Sequence, residues 1–141
     1  MNEVRHILKE TKLKKGQVFY DLGCGDGRVV RTAVQEYGVK GVGVDINPLL
    51  IWVSLIKARL ADLKNIHFRR ENIFSSDLSD ADVVYLFLMP ELLAKLKKKL
   101  VSELKPKTII LSHGFKIEGW DNYLTRTVHH LPFPTYFYVL K

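Results

Sequence analysis

Three closely spaced glycines, with carboxylates before and among them, are the residues of this 141-residue chain best suited to chemistry. Asp21-Leu22-Gly23-Cys24-Gly25-Asp26-Gly27 sets glycines at alternate positions, with one carboxylate two residues ahead and a second inside the run. That spacing lets the backbone turn sharply and lets a large ligand approach it closely. Two phosphate-binding patterns fail on spacing. A P-loop ends in Gly-Lys-Ser/Thr, whereas Gly27 is followed by Arg28-Val29. The dinucleotide fingerprint G-x-G-x-x-G, started at Gly23, meets Arg28 where its last glycine belongs; started at Gly25, it meets Val30. Asp21 and Asp26 are also poor company for a pyrophosphate. They suit a ligand carrying a sulfonium and an ammonium group, held by Coulomb attraction in a partly dry site.

The elements that must position this turn follow from periodicity. Val18-Phe19-Tyr20 predicts a buried strand over 17–22, and Val29, Val30, Ala33, Val34 and Tyr37 predict a helix over 28–37 that ends at Gly38. An apolar face of Val4, Ile7, Leu8 and Thr11 predicts an earlier helix over 3–12. A second strand covers 41–46, with Gly41 and Gly43 on one face to admit a close helix. Asn47 is its following helix's N-cap and Pro48 its first residue, and that helix runs to about 63. A third strand covers 65–70. The nearly continuous apolar run 82–88 reads as a central parallel strand. Pro90 opens a helix with residues 92, 93, 96, 100, 101 and 104 on one stripe, and 108–112 form a fifth strand. Only nine residues, 113–121, then remain before the next strand, too few for a crossover helix. Strands over 122–131 and 135–140 are therefore expected as an antiparallel hairpin around Pro132-Phe133-Pro134, with His129 and His130 on opposite faces. The expected fold is α/β: one domain over 1–141, a Rossmann-like seven-stranded sheet, mostly parallel, with an antiparallel C-terminal hairpin and no helix between strands five and six.

Composition excludes several classes. Apolar residues make up 47% of the chain, which suits an ordered globular protein. One cysteine forms no internal disulfide, no signal-peptide pattern opens the sequence, and no apolar run approaches the roughly 20 residues of a membrane span. A cytoplasmic location is the expectation. The net charge of +7 is spread over several lysine and arginine clusters, as on a solvated basic surface, although it also keeps an RNA partner in view.

Asp-x-Gly-x-Gly-x-Gly at Asp21–Gly27 resembles motif I of the class I S-adenosylmethionine (SAM)-dependent methyltransferases. The resemblance implies SAM as cofactor, held by Asp21, Gly23, Cys24, Gly25, Asp26 and Gly27. It places Asp45 at the ribose and Asn72 and Ile73 at the adenine, and it counts Ile46 and Leu88 among the cofactor-binding residues. A carboxylate at position 45 also suits the ribose on chemical grounds, since it accepts hydrogen bonds from two vicinal hydroxyls. Each residue has a plainer alternative: Asp45 as a cap for the loop before Pro48, Asn72 as an ordinary turn residue, Cys24 as a small filler and not a nucleophile.

The methyl acceptor is read from the end of strand four. Phe87-Leu88-Met89-Pro90 carries no amide or carboxylate, unlike the Asn/Asp-Pro-Pro-Tyr/Phe of enzymes that methylate bases or glutamine amides. An apolar channel suits a lysine stem packed on Phe87 and Tyr85 or Phe115, with its ammonium partly desolvated. The run 84–93, the basic helix after it, Lys105-Pro106-Lys107 and Ser112-His113-Gly114-Phe115 resemble the small protein-lysine methyltransferases. These include archaeal broad-specificity enzymes and the mitochondrial enzyme that modifies the c subunit of ATP synthase. The resemblance implies a protein substrate and a pocket of Tyr85, Phe87, Met89, Pro90, His113 and Phe115. His113 either orients substrate or SAM, or simply ends strand five. Glu91 reads as a charge in the first turn of a helix, no general base stands out, and no metal site is expected. Family members carry a Pro/Thr-containing segment ahead of the first helix, and these 141 residues start at that helix. The lid, and with it an oligomer or a partner protein, is left open. The alternatives are an RNA or small-molecule methyltransferase, or a catalytically silent SAM-binding partner.

Overall fold

A computed structural model describes residues 2–141. The elements are α1 (Asn2–Thr11), β1 (Val18–Leu22), α2 (Arg28–Tyr37), β2 (Lys40–Asp45), α3 (Pro48–Leu60), β3 (Ile66–Arg70), β4 (Val83–Leu86), α4 (Pro90–Glu103), β5 (Ile109–His113), β6 (Leu124–Val128) and β7 (Thr135–Val139). The strands form one seven-stranded sheet in the order β3-β2-β1-β4-β5-β7-β6. β1 to β5 are parallel, and β7 runs antiparallel to both β5 and β6. The order reverses between β1 and β4, and the crevice beyond the carboxyl ends of strands at such a reversal is where open α/β sheets bind ligands.

Strand alternation divides the core in two. On one face Phe19, Val83, Tyr85, Leu111 and Phe137 pack with Ile7 and Leu8 of α1 and with Val30 and Ala33 of α2. On the other, Tyr20, Leu22, Val84, Leu86 and Ile110 pack with Leu93, Leu96 and Leu100 of α4. No helix lies between β5 and β6; there the stretch 114–123 covers the sheet itself. Ile117 and Trp120 are buried in that layer, and the Tyr138 hydroxyl accepts the Ile117 N–H at 2.9 Å. Gly41 and Gly43 do admit close neighbours: a Cβ on Gly41 would stand 2.6 Å from Val30 and Val34 of α2, and one on Gly43 2.9 Å from the Cys24 sulfur.

Several boundaries differ from expectation for local reasons. α3 stops at Leu60 because Ala61 leaves the helical conformation and Asp62 turns to φ +52°. In α4, Val101 is exposed, so the buried stripe is Leu93, Leu96, Leu100 and Leu104. β6 is short: an irregular register between Leu124 and Arg126 bends it, and Val128 is its last paired residue. His129 and His130 therefore lie in the connection to β7 and not on alternating strand faces. The outward face of α3 is apolar, with Leu49, Trp52 and Leu60 exposed.

Candidate active site

The glycine turn sits at the end of β1, where three alternate residues in the left-handed region, Gly23, Gly25 and Gly27 (φ +78°, +57° and +80°), reverse the chain into α2. Only glycine takes such a series without strain. Its position is fixed from three sides. Gly23 and Cys24 N–H groups donate to the Val44 carbonyl at 2.7 and 3.0 Å. Asp45 Oδ2 accepts the Gly25 N–H at 2.9 Å, while Oδ1 accepts the Asn47 N–H at 2.9 Å. The buried Ser54 hydroxyl of α3 lies 2.9 Å from both the Gly25 and the Leu50 carbonyl and donates to one of them at a time. The sequence shows Ser54 only as the polar break in the apolar run 48–56, which marks no role at the turn.

Gly23 is the shared wall of two cavities. One, of about 440 Å³, is lined by Asp21, Cys24, Gly25, Asp26, Tyr85 and Phe87, together with Arg28, Val29 and Leu50. The other, of about 230 Å³, is lined by Asp45, Ile46, Asn72 and Ile73, together with Glu71, Phe74 and Leu92. Leu88 stands against Gly23: a Cβ there would lie 3.3 Å from its side chain. An extended ligand passing Gly23 would thus meet Asp21 and Asp26 on one side and, on the other, a mostly apolar slot carrying the Asn72 amide and the Asp45 and Glu71 carboxylates. The Asn72 amide oxygen accepts the Phe74 N–H at 2.9 Å, which is the turn role, and the residue remains exposed.

The two carboxylates of the turn differ in state. Asp21 is buried, and burial pushes its pKa up to about 7, opposed by the Val30 backbone N–H and reinforced by Asp45 and Asp26. Asp26 is also pushed up by burial, but hydrogen bonds from Arg28 and Lys57 outweigh this and hold it at about 2. The structure therefore gives Asp26 two cationic partners of the chain's own. The carboxylate that still lacks a countercharge is Asp21. Burial, then Asp21 and Asp45, raise the Cys24 thiol far above its usual range, so no thiolate forms there.

Of the residues assigned to the acceptor pocket, Tyr85, Phe87 and His113 come together. Tyr85 and Phe87 line the larger cavity, and the His113 ring lies 4.8 Å from that of Phe87 and 6.4 Å from that of Tyr85. Met89 and Pro90 start α4, with the Met89 carbonyl accepting the Leu92 and Leu93 N–H groups, and neither lines a cavity beside Gly23. Phe115 lies apart. Gly114 takes φ +91°, which breaks the strand alternation and turns Phe115 against the α4 side of the core. Sequence reasoning missed Glu3, whose carboxylate reaches His113 Nε2 at 3.3 Å from α1, and Phe133, 5.8 Å from Phe87. Among the described residues no three His, Cys, Asp or Glu side chains form a metal site.

The sequence and the fold have counterparts in known proteins. The profile of the ANTKMT methyltransferase domain matches residues 21–123. The chain belongs to this methyltransferase family. It is 39% identical over 125 residues to a protein-lysine N-methyltransferase of Saccharolobus islandicus, covering 84% of this chain and 74% of that protein. To the adenine nucleotide translocase lysine N-methyltransferase of Mus musculus it is 29% identical over 120 residues, spanning 52% of that protein's length. A crystal structure of an RNA methyltransferase from Salinibacter ruber with S-adenosyl-L-homocysteine superposes with a TM-score of 0.91 and 34% identity, covering 99% of this chain and 90% of that one. This family member is thus a SAM-dependent methyltransferase. Its own residues fit the cofactor: a buried Asp21 without a countercharge, two cavities meeting at a glycine, and an apolar slot beside Asn72.

Proposed function

We propose that this chain is a protein-lysine N-methyltransferase. The observation that carries the reading is the wall of the larger cavity, where Asp21 of the glycine turn and the aromatic rings of Tyr85 and Phe87 face one space. SAM supplies a methyl group on a sulfonium, open to in-line displacement. The chain's residues then have three tasks. Asp21 offers a negative charge to the cationic end of the cofactor, and its own proton must leave before it does so. Asp45 and Asn72 hold the adenosine end through ribose and adenine contacts, with Ile46, Ile73 and Leu88 packing around it. Tyr85 and Phe87 supply an apolar channel that strips water from a lysine stem and narrows the approach of its nitrogen. The names of the archaeal and mouse relatives support a protein acceptor.

A second reading, RNA methylation, is favoured by the name of the Salinibacter enzyme and by the net charge of +7. Incubation of the purified chain with methyl-labelled SAM and cell extract separates the two. Label in protein that survives nuclease and is recovered as methyl-lysine after hydrolysis is the expected result. Label lost to RNase assigns the RNA reading. SAM binding without transfer, relieved by an added extract fraction, assigns a partner-dependent module.

A further inference from the structure

Asp21 answers one charge at the amino-acid end of SAM, the ammonium. The same end carries a carboxylate, and the cavity beside the glycine turn is hostile to it on one side: Asp21 and Asp26 both line that space and repel a further negative group. Among the described residues lining the cavity, Arg28 is the one cation.

The backbone offers the carboxylate little. A helix start often holds an anion through free N–H groups, but most of those of this turn are committed within the chain. Gly23 and Cys24 donate to the Val44 carbonyl, Gly25 to Asp45, Gly27 to the Cys24 carbonyl at 2.9 Å, and Arg28 to Asp26 Oδ1 at 3.2 Å. A side-chain donor is therefore required.

Arg28 is held loosely enough to serve. Its side chain is 61% exposed, and its Nε and Nη2 stand 3.3 and 3.4 Å from the two Asp26 oxygens. Close charge-assisted bonds of this kind run at about 2.7–2.9 Å. Asp26 does not depend on Arg28 alone, because Lys57 reaches over from α3 and donates to Oδ2 at 3.1 Å. When the guanidinium takes another partner, Asp26 keeps a countercharge, and the cost of baring a half-buried carboxylate is avoided. A planar guanidinium also fits a carboxylate with two parallel hydrogen bonds, which a lysine does not.

We propose that Arg28 is the receptor for the carboxylate of SAM, and that Lys57 is a positioning residue that keeps Asp26 compensated while Arg28 turns to the ligand. The proposal rests on the cofactor and is independent of which acceptor is methylated. It divides the zwitterionic end of SAM between two residues of one turn, Asp21 ahead of the glycines and Arg28 behind them.

The test measures binding to the full chain by calorimetry. The probes are SAM, decarboxylated SAM, which keeps the sulfonium and the ammonium, and methylthioadenosine, which lacks the whole amino-acid end. The wild type should prefer SAM over its decarboxylated form at least tenfold. Arg28→Gln should abolish most of that preference and leave methylthioadenosine affinity within twofold, and Arg28→Lys should keep part of it. Lys57→Gln should lower the preference severalfold. Adding Asp26→Asn to Lys57→Gln should restore it, because Asp26 then no longer claims Arg28. A full preference kept by Arg28→Gln, or none in the wild type, overturns the receptor while SAM binding itself stands. Loss of methylthioadenosine binding in Arg28→Gln assigns the residue to the fold of the turn and overturns the receptor as well. A full preference kept by Lys57→Gln removes Lys57 from the proposal. No binding of either SAM or methylthioadenosine to the wild type takes the cofactor assignment down with it.

Discussion

The Asp45 carboxylate accepts the backbone N–H of Gly25 at 2.9 Å, so the residue that ends β2 holds the tip of the turn that follows β1. Its other oxygen caps the start of the next loop at Asn47. The capping role and the ribose role are thus not rivals: a carboxylate oxygen with one backbone donor retains a lone-pair direction for a hydroxyl. Replacing Asp45 by Ala removes both charge-assisted bonds at the backbone and, on the proposed ribose role, the two to the ribose hydroxyls as well. Hydrogen bonds to charged groups are worth about 1.5–3 kcal/mol each. SAM affinity measured by calorimetry should fall at least a hundredfold, with a lowered melting temperature in the ligand-free protein. Unchanged affinity would overturn the assignment of this residue to the ribose.

Asp21 should make cofactor binding depend on pH. Its folded pKa of about 7 stands above the ordinary 3.8, so its contribution to the stability of the ligand-free fold is fully present below about pH 4 and is lost as pH rises through 7. That interval corresponds to about 4 kcal/mol, since each pH unit carries ~1.4 kcal/mol. A cationic ligand requires the ionised carboxylate. Affinity for S-adenosylhomocysteine, which keeps the ammonium, should therefore drop about tenfold per pH unit below 7 and level off above it. Asp21→Asn should bind more weakly and lose this slope. Melts of both proteins between pH 5 and 8, with and without ligand, check the sign: only the wild type should gain more from ligand as pH rises.

Two glycine substitutions should fail in different ways. Gly41→Ala puts a methyl 2.6 Å from Val30 and Val34, between β2 and α2 and away from both cavities. Overpacking of this kind costs about 1–3 kcal/mol, so the melting temperature should fall by several degrees while SAM affinity stays within threefold. Gly27→Ala meets Phe68 at 2.9 Å and the Ser54 hydroxyl at 3.1 Å, and it also forces alanine to φ +80°. Because Ser54 holds the Gly25 carbonyl, this substitution should lower both stability and SAM affinity. Thermal melts and calorimetry on the pair separate packing from ligand geometry.

Asn72→Ala should leave the fold nearly intact, since the lost turn bond to Phe74 is at an exposed site and is worth about 1 kcal/mol or less. SAM affinity should fall about five- to tenfold if the amide also meets the adenine. A drop in melting temperature with no change in affinity would leave Asn72 with its turn role alone.

The sequence was most legible where one local rule decides. Alternating glycines after an apolar strand, Asn47-Pro48 at a helix start and nine residues where a crossover needs a dozen all pointed directly to their elements. Pairings across the fold were not legible. Nothing near Asp26 marks Lys57 as its partner, because that contact depends on how α3 lies over the turn. Phe115 reads as part of the same pocket as His113, and only the positive φ of Gly114 turns it away. Glu3 looks like an ordinary charge in a helix's first turn. Its contact with His113 follows from α1 crossing the face that holds Tyr85 and Leu111, which amphipathicity shows only as an apolar stripe.

Glu3 and His113 stand far apart along the chain, and Thr135 lies later still. A ribosome has made the glycine turn, Asp45 and Asn72 before β4 is begun. β7, which carries Thr135 and flanks β5, comes last, and Arg126 of β6 then clasps Glu10 to fasten α1 over the finished edge. The residues assigned to the cofactor are thus made ahead of β4, whereas the Glu3–His113–Thr135 arrangement waits for β7. Synthesis of β7 is itself the event that assembles this side of the enzyme.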